Sequence, residues 1–260
     1  MTGPQPGRRA GRPAKPLLNR ELIADAALDL VTADGTDGLT MKSLAARLGV
    51  SVSSLYNHIA GKAELLTSVQ DAVMSRVDAS AFTAVDAADG VAGGADLLAD
   101  ALRTWSRSYR QVFADYPSLV PLIATMPVSG APATRRMYDA VSAGLLAAGV
   151  PTAQVVPVIV AFESFLYGSA MDVHAPAGIF GSRPGEQDAP SFRSVVASFT
   201  AQVDGAGGED AASTPASTPV STPASPDPAP RSPASPNPYA DQPFEWGLDA
   251  LVARTLTLLG

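Results

Sequence analysis

The sequence predicts an all-α protein, with an N-terminal three-helix module built around a helix-turn-helix and a larger helical domain behind it. Three observations carry this. Apolar residues recur three and four positions apart through most of the chain. No stretch shows the period-two alternation of a half-buried strand, and Gly, Pro and capping residues punctuate the pattern at helical lengths. The 260 residues suit one or two domains, and 46% hydrophobic content supports a sizeable core.

The first helix is expected from about Asn19, a good N-cap, to Asp34, with Gly35 as its stop. Its Leu22, Ile23, Ala26, Ala27, Leu30 and Val31 form one apolar face. A second helix starts at Thr40, where Leu39 and Leu44 occupy the positions of a hydrophobic staple, and ends at Leu48-Gly49. A third runs from Ser51 to about His58, with Val50 and Leu55 again placed as a staple. A fourth starts near Gly61-Lys62, with Glu64 at its third position, and reaches about Ala79. Beyond Gly94, helices are expected near 95–115, 117–126, 132–148, 152–174 and 190–203. Residues 205–238 are almost entirely Ala, Ser, Thr, Pro, Gly and Asp, with nine prolines between Pro215 and Pro238, too few apolar groups to offset chain entropy. Phe244, Trp246, Leu248, Leu251, Val252, Leu256 and Leu259 then resume helical spacing, so the chain returns for one more amphipathic helix. The organisation is therefore a basic arm (1–18), a helix-turn-helix domain (19–66), a helical regulatory domain (67–204), a disordered insertion (205–240) and a terminal helix (241–260).

Composition narrows the chemistry. The absence of cysteine excludes disulfides, thiol catalysis and thiolate metal sites. The two histidines lie far apart, and no metal set or cofactor motif is expected. No apolar run is expected to reach the roughly 18 to 20 residues of a membrane span; Val155–Leu166, the richest, contains Pro157, Glu163 and Ser164. The N-terminus is polar and basic without an apolar signal core, so a cytoplasmic location is expected. Net charge is −7, but it is unevenly spread. Residues 1–62 carry eight Lys+Arg against five Asp+Glu, and the remainder carries ten against twenty. All three lysines (Lys15, Lys42, Lys62) fall in the first segment, as a phosphate-holding module on an acidic body requires. Arg8, Arg9, Arg12 and Lys15 lie among prolines that forbid a continuous helix, either as a solubilising tail or as an arm that tracks a nucleic-acid backbone.

The segment Met41–Ala60 reads MKSLAARLGVSVSSLYNHIA. Leu44, Leu48, Val50 and Leu55 are spaced to fill a three-helix core, Ala45 is small where helices cross, and Gly49 permits the tight turn. An ordinary helical hairpin would use the same spacing; the basic polarity and position favour a DNA-reading unit. With Leu18–Leu66 read whole, LNRELIADAALDLVTADGTDGLTMKSLAARLGVSVSSLYNHIAGKAELL, the chain resembles the DNA-binding domain of the tetracycline-repressor (TetR) family over about 50 residues. The later FEWGLDALVARTLTLL is similar to the last helix of several members. The resemblance implies an all-α homodimer, a palindromic double-stranded DNA operator, and release when a small-molecule effector binds the C-terminal domain.

Within that frame the third helix is the recognition helix, with Ser51, Val52, Ser53, Ser54, Tyr56, Asn57 and His58 as candidate DNA contacts. The serine hydroxyls can bond phosphates or bases, and Val52 offers an apolar contact for a thymine methyl. Tyr56 and His58 match family positions that bond phosphates. No Arg or Gln is present for bidentate base readout, which leaves the operator sequence open. Lys62, in the first turn of its helix, opposes the macrodipole at a cost of a few tenths of a kcal/mol. It is either a solvated lysine or a phosphate contact, and the family carries a lysine there. Thr40 can present its hydroxyl and the following amides to another phosphate, and Lys42 lies in the next turn.

In the second domain, Trp105, Tyr109, Met126, Tyr138, Glu163, Tyr167 and His174 are candidate effector contacts, although the aromatic and Met residues would serve equally as core. Glu163 sits in an otherwise apolar helix, where an unpaired carboxylate is costly. It either pairs with an arginine or faces a dimer rim, or it lines a ligand cavity. His174 at a helix end is either structural or a ligand contact. Dimerisation is expected through the 152–174 helix and the last helix, unless the latter packs only on its own core. The competing readings are an enzyme, for which no nucleophile elbow, phosphate-binding glycine loop or triad is found, and an all-helical interaction or small-molecule-binding protein without sequence-specific DNA binding. Repressor and activator are not distinguished by the sequence, and neither are the inducer and the regulated genes.

Overall fold

The computed structural model describes residues 18–88, 94–176, 178–181, 183, 188–206 and 237–259. The expected basic arm lies outside them except for Leu18, and so does nearly all of the expected insertion. The described residues are helical: α1 (Arg20–Gly38), α2 (Met41–Leu48), α3 (Val52–Tyr56), α4 (Lys62–Met74), α5 (Phe82–Ala88), α6 (Gly94–Asp115), α7 (Val120–Ile123, after a 3-10 turn at Pro117–Leu119), α8 (Pro132–Ala147), α9 (Thr152–Asp172), α10 (Pro190–Ala206) and α11 (Asp241–Leu256). They divide into two compact units. One comprises the described residues up to Ser75 together with Thr125–Arg135, and the other comprises the remainder.

In the first unit the caps fall where the sequence places them. The Asn19 side chain accepts the Leu22 N–H at 2.7 Å. Helix α1 breaks at Gly35 (φ 71), and a last turn continues to Gly38. Thr40 and Ser43 form a reciprocal capping box, each side-chain oxygen accepting the other's backbone N–H at 3.0 Å. Gly49 (φ 64, ψ 37) ends α2 in the left-handed conformation, where a Cβ would be strained, and its N–H bonds back to the α2 carbonyls. Ile23, Ala27, Leu30, Leu44, Leu55, Leu65 and Val69 are buried and form the small core. Asp71 of α4 accepts both the N–H (2.8 Å) and the hydroxyl (3.2 Å) of Thr134, and so caps the start of α8 from a distance in sequence.

In the second unit α6 is central. It buries Leu98, Leu102, Trp105, Tyr109 and Phe113, and packs chiefly on α9. Helix α5, in a stretch where no helix was expected from the sequence, supplies the buried Phe82, which meets Trp105 edge-on with centroids 6.1 Å apart. Helix α11 closes the unit. Its Phe244, Leu248 and Val252 are buried, so much of its apolar stripe packs within its own subunit. Phe165 of α9 stacks on Phe244, with centroids 5.7 Å apart, and approaches the backbone of α11 at Gly247, where a Cβ would lie 2.3 Å from the ring. Three arginines of α6 run alongside three carboxylates of α11. Arg103 bonds Asp249 at 3.2 Å, Arg107 grips Glu245 with two bonds (3.1 and 2.7 Å), and Arg110 pairs with Asp241 at 2.9 Å. The Arg103 and Arg107 pairs are the more exposed, and such pairs contribute about 0.2–1 kcal/mol each. Burying an aromatic or aliphatic side chain contributes about 1.5–3 kcal/mol. The apolar face therefore holds α11, and the charged ladder fixes its register.

One expectation needs correction. Helix α9 is long and apolar enough, by length and composition, to cross a membrane: it has 21 residues, with a mean hydropathy of 1.4 over its best 18-residue window. Pro157, Glu163 and Ser164 do not break the run because both faces of the helix are apolar. Val155, Val158, Ile159, Phe162 and Leu166 are buried, while Val156 and Val160 are 66% and 53% exposed.

Both flanks of the Pro/Ser/Thr/Ala stretch are anchored. Asn237 donates its side-chain amide to the Asp172 carbonyl at 2.6 Å, and Tyr239 stacks on Phe199 of α10 with centroids 5.0 Å apart. Replacing residues 207–236 by a flexible linker of about ten residues should therefore preserve cooperative unfolding and leave Tm within a few degrees, because loop-closure entropy varies only slowly with length. Circular dichroism melting of the deletion variant checks this, and loss of cooperativity would show that the stretch contributes packing.

Candidate functional sites

The first unit presents a polar, partly basic surface made by the start of α2, by α3 and by the start of α4. Leu55 points inward and is fully buried. Ser53, Tyr56 and Asn57 are exposed, while Val52, Ser54 and His58 are half-buried. Tyr56 is 52% exposed, high for a large aromatic ring. Several hydroxyls expected at the surface are partly committed. Ser51 accepts the Ser54 N–H at 3.1 Å, and the two hydroxyls lie 2.8 Å apart. Thr40 is held by Ser43 at 2.9 Å. These bonds fix the N-termini of α3 and α2. The unencumbered groups are Ser53, Tyr56, Asn57 and two exposed lysines, Lys42 and Lys62, neither of which has an ion pair among the described residues.

Glu64 organises the start of α4. Its Oε2 accepts the Ala60 N–H at 2.6 Å, and its Oε1 pairs with Arg20 at 2.5 Å. Gly61 at the N-cap offers no side chain, so Glu64 takes over the role. Arg20 was not singled out from the sequence. It sits among acidic and apolar neighbours in α1, and only the fold brings it to Glu64.

The second unit brings four of the seven effector candidates together on α6, α8 and α9. Glu163 Oε1 accepts the phenolic O–H of Tyr138 at 2.5 Å and that of Tyr109 at 3.0 Å. The hydroxyls of Tyr109 and Tyr167 are 2.8 Å apart. Tyr109 stacks on Phe113 (4.9 Å between centroids), Tyr167 meets both edge-on, and Trp105 meets Tyr109 edge-on at 5.7 Å. The arginine pairing weighed for Glu163 is not what its contacts show; its hydrogen-bond partners are phenols. Burial pushes its carboxyl above the usual range, and the bonds from Tyr138 and Tyr109 pull it back only in part. Burial likewise raises the phenols, Tyr167 to about 12, so all three remain protonated donors at neutral pH. Trp105 is buried beside the cluster. Met126 falls in the other unit. His174 is placed elsewhere: its Nε2 lies 2.7 Å from the Ala114 carbonyl and ties the end of α9 to the end of α6. No group of three His, Cys, Asp or Glu suited to a metal occurs among the described residues.

Comparison with known proteins fits this arrangement. Residues 23–69 match the family described as bacterial regulatory proteins, tetR family, and residues 92–253 match the tetracyclin repressor-like C-terminal domain. The second match alone covers more than half of the chain, and the protein belongs to the tetR family. The HTH-type transcriptional repressor DrrR1 of Streptomyces coeruleorubidus is 28% identical over 164 residues, 63% of this chain and 57% of its own length. The tetracycline repressor protein class D of Escherichia coli is 42% identical over 59 residues, 23% of this chain and 27% of its own. Among solved structures, ActR of Streptomyces coelicolor in complex with actinorhodin superimposes with a TM-score of 0.60 at 21% identity, covering 94% of this chain and 98% of that one. That likeness shows the fold. The chain spans less than two thirds of the length of the first curated relatives it matches.

The buried carboxylate has a consequence for stability. Its folded-state pKa is raised, so the stabilising contribution is complete below the ordinary carboxylate pKa and is lost as pH rises through the raised value. Glu163→Gln keeps an acceptor for the phenols and removes the charge. Its Tm should exceed wild type by about 2–4 °C at pH 7.5, as expected for about 1 kcal/mol in a domain of this size. The gap should close as pH falls into the ordinary carboxylate range. Thermal melts across that pH range check the sign; a variant less stable than wild type at neutral pH contradicts it.

Proposed function

We propose that the protein is a dimeric, DNA-binding transcriptional repressor of the cytoplasm, released from a palindromic operator by a small-molecule inducer, and that it is not an enzyme. The observation that carries this reading is the surface around α3. A helix pinned by its own cap and by Leu55 leaves Ser53, Tyr56 and Asn57 outward, with Lys42 and Lys62 unpaired beside it. Unpaired cations at helix N-termini suit phosphates, and short polar side chains on a pinned helix suit a groove. The relatives named as transcriptional repressors support the same direction. Thr40, Ser51, Ser54, Val52 and His58 complete the proposed contact set. Tyr109, Tyr138, Glu163 and Tyr167, with Trp105 beside them, form the proposed effector site, and the crystallised complex of ActR with actinorhodin supports a ligand role for this domain type.

The outer face of α9 supports the dimer reading. Val156 and Val160 are exposed, and an apolar cleft of about 150 Å³ lies between α9 and α11, lined by Pro157, Ala161, Phe162, Leu251 and Leu258 among others. Two such helix pairs from two subunits would form a four-helix bundle. The change Val156→Asp with Val160→Asp should yield folded, helical monomers in sedimentation, with DNA affinity collapsing because a monomer reaches one half-site only. A double variant that stays dimeric places the interface elsewhere.

The half-sites should lie about 34 Å apart, one helical turn of DNA. Lys62→Ala should weaken binding to specific and random duplexes alike and reduce the slope of log affinity against log salt by about one. Fluorescence anisotropy over a salt series measures this. A changed base preference with an unchanged slope would refute the phosphate assignment, and an absence of salt-dependent binding to promoter DNA would refute the repressor reading itself.

A further inference from the structure

The effector site proposed above contains a charge that no cation among the described residues balances. Every arginine of α6 already has a carboxylate of its own on α11: Arg103 with Asp249, Arg107 with Glu245, Arg110 with Asp241. None of them pairs with Glu163. Its hydrogen-bond partners in the structure are Tyr109 and Tyr138, and both bond to Oε1. Oε2 receives no hydrogen bond from the described residues. The residue is not sealed in either, since Glu163, Tyr138 and Tyr167 are each half-buried while Tyr109, Trp105 and Phe113 behind them are buried. The cluster thus has a closed aromatic floor and an accessible side that bears a carboxylate oxygen without a partner.

The chemistry of these groups selects among ligands. An anion would meet Glu163 head-on in a low-dielectric site. A divalent cation would find a single carboxylate and neutral phenols, too few oxygen donors of the right charge. A neutral apolar ligand would leave the carboxylate unpaired. A cationic N–H group satisfies Oε2 by a charge-assisted hydrogen bond, and the half-buried rings of Tyr138 and Tyr167 add the ring-quadrupole attraction that favours organic cations. The rings also require an apolar, preferably planar, body on that cation.

We propose that the α6–α8–α9 cluster binds an organic cation, a protonated nitrogen base with a flat aromatic body, with a cationic N–H on Glu163 Oε2 and the body against Tyr138 and Tyr167. This rests on the reading of the cluster as the effector site, and the test separates the two. Three acridines share one ring system and differ in charge at pH 7.5: 9-aminoacridine is cationic, acridine is neutral, and acridine-9-carboxylate is anionic. Binding to the full-length protein is measured by calorimetry, and release of a labelled promoter duplex by anisotropy.

Wild type should bind 9-aminoacridine at least tenfold more tightly than acridine, and acridine-9-carboxylate most weakly. Glu163→Gln should lose at least tenfold for the cation and little for acridine, so that the preference disappears. Glu163→Asp, which retains the charge, should keep the order of the three ligands, and its melt confirms that the fold survives. Equal or tighter binding of the neutral or anionic acridine by wild type overturns the proposal, as does undiminished cation binding by Glu163→Gln or the absence of binding by all three. If the anionic or neutral compound binds at least as tightly as the cation and releases DNA, the effector reading stands and the cation inference falls. If the cation binds as predicted but leaves the DNA complex intact, the ligand class stands and the effector reading falls.

Discussion

Helix α6 has to satisfy several neighbours at once, and the second unit is built around how it does so. One face carries Leu98, Leu102, Trp105, Tyr109 and Phe113 into α9, and the adjoining edge carries Arg103, Arg107 and Arg110 against α11. The heptad-like spacing that supplies the apolar face also leaves the arginines one turn apart, so a single helix sets both the core and the register of the closing helix. Because Tyr109 lies on the apolar face, the same constraint delivers its hydroxyl to Glu163 of α9.

That delivery comes at a cost in stability. A carboxylate among phenols, with its pKa raised by burial, is less favourable than a leucine would be, and the raised value records the penalty. A buried ionisable group without a counter-charge is a recurrent mark of a functional position. The first unit solves the opposite problem. Its α2 and α3 are short, and the helix starts carry explicit caps: Asn19, the Thr40–Ser43 box, Ser51 and Glu64 supply them one after another. Those bonds hold the exposed side chains of α3 in place without a large core beneath them.

The helices of the first unit were legible because every one of their signals is local. Asn19, Gly35, Thr40, Gly49 and Ser51 each act on residues within four positions, and the structure uses them as the sequence suggests. What the sequence hid is non-local. Helix α5 is a short run of Ala and Thr with two apolar anchors, Phe82 and Val85, whose only strong signal is burial against partners such as Trp105. The two-sided character of α9 escaped notice because Pro157 and Glu163 seemed to interrupt an apolar run; in a helix already supported on one side neither does. Glu163 was conspicuous as an oddity, but its partners lie 54 and 25 positions away on other helices. Nothing in the spacing marks Tyr109, Tyr138 and Tyr167 as a set, or assigns His174 to the end of α6.

The long sequence separation of the α6–α11 ladder bears on the order in which the molecule is assembled. The contacts among α1, α2, α3 and α4 close within residues 20–74, so those helices can pack as soon as that stretch has left the ribosome. Arg107, by contrast, waits for Glu245, 138 positions later, and Phe165 waits for Phe244. Throughout that interval the nascent chain carries a folded first unit attached to a second whose α6 and α9 faces lack their cover. Premature termination before α11 therefore leaves a protein whose first unit is intact and whose second is an adhesive, a product that chaperones and proteases would meet before any promoter does.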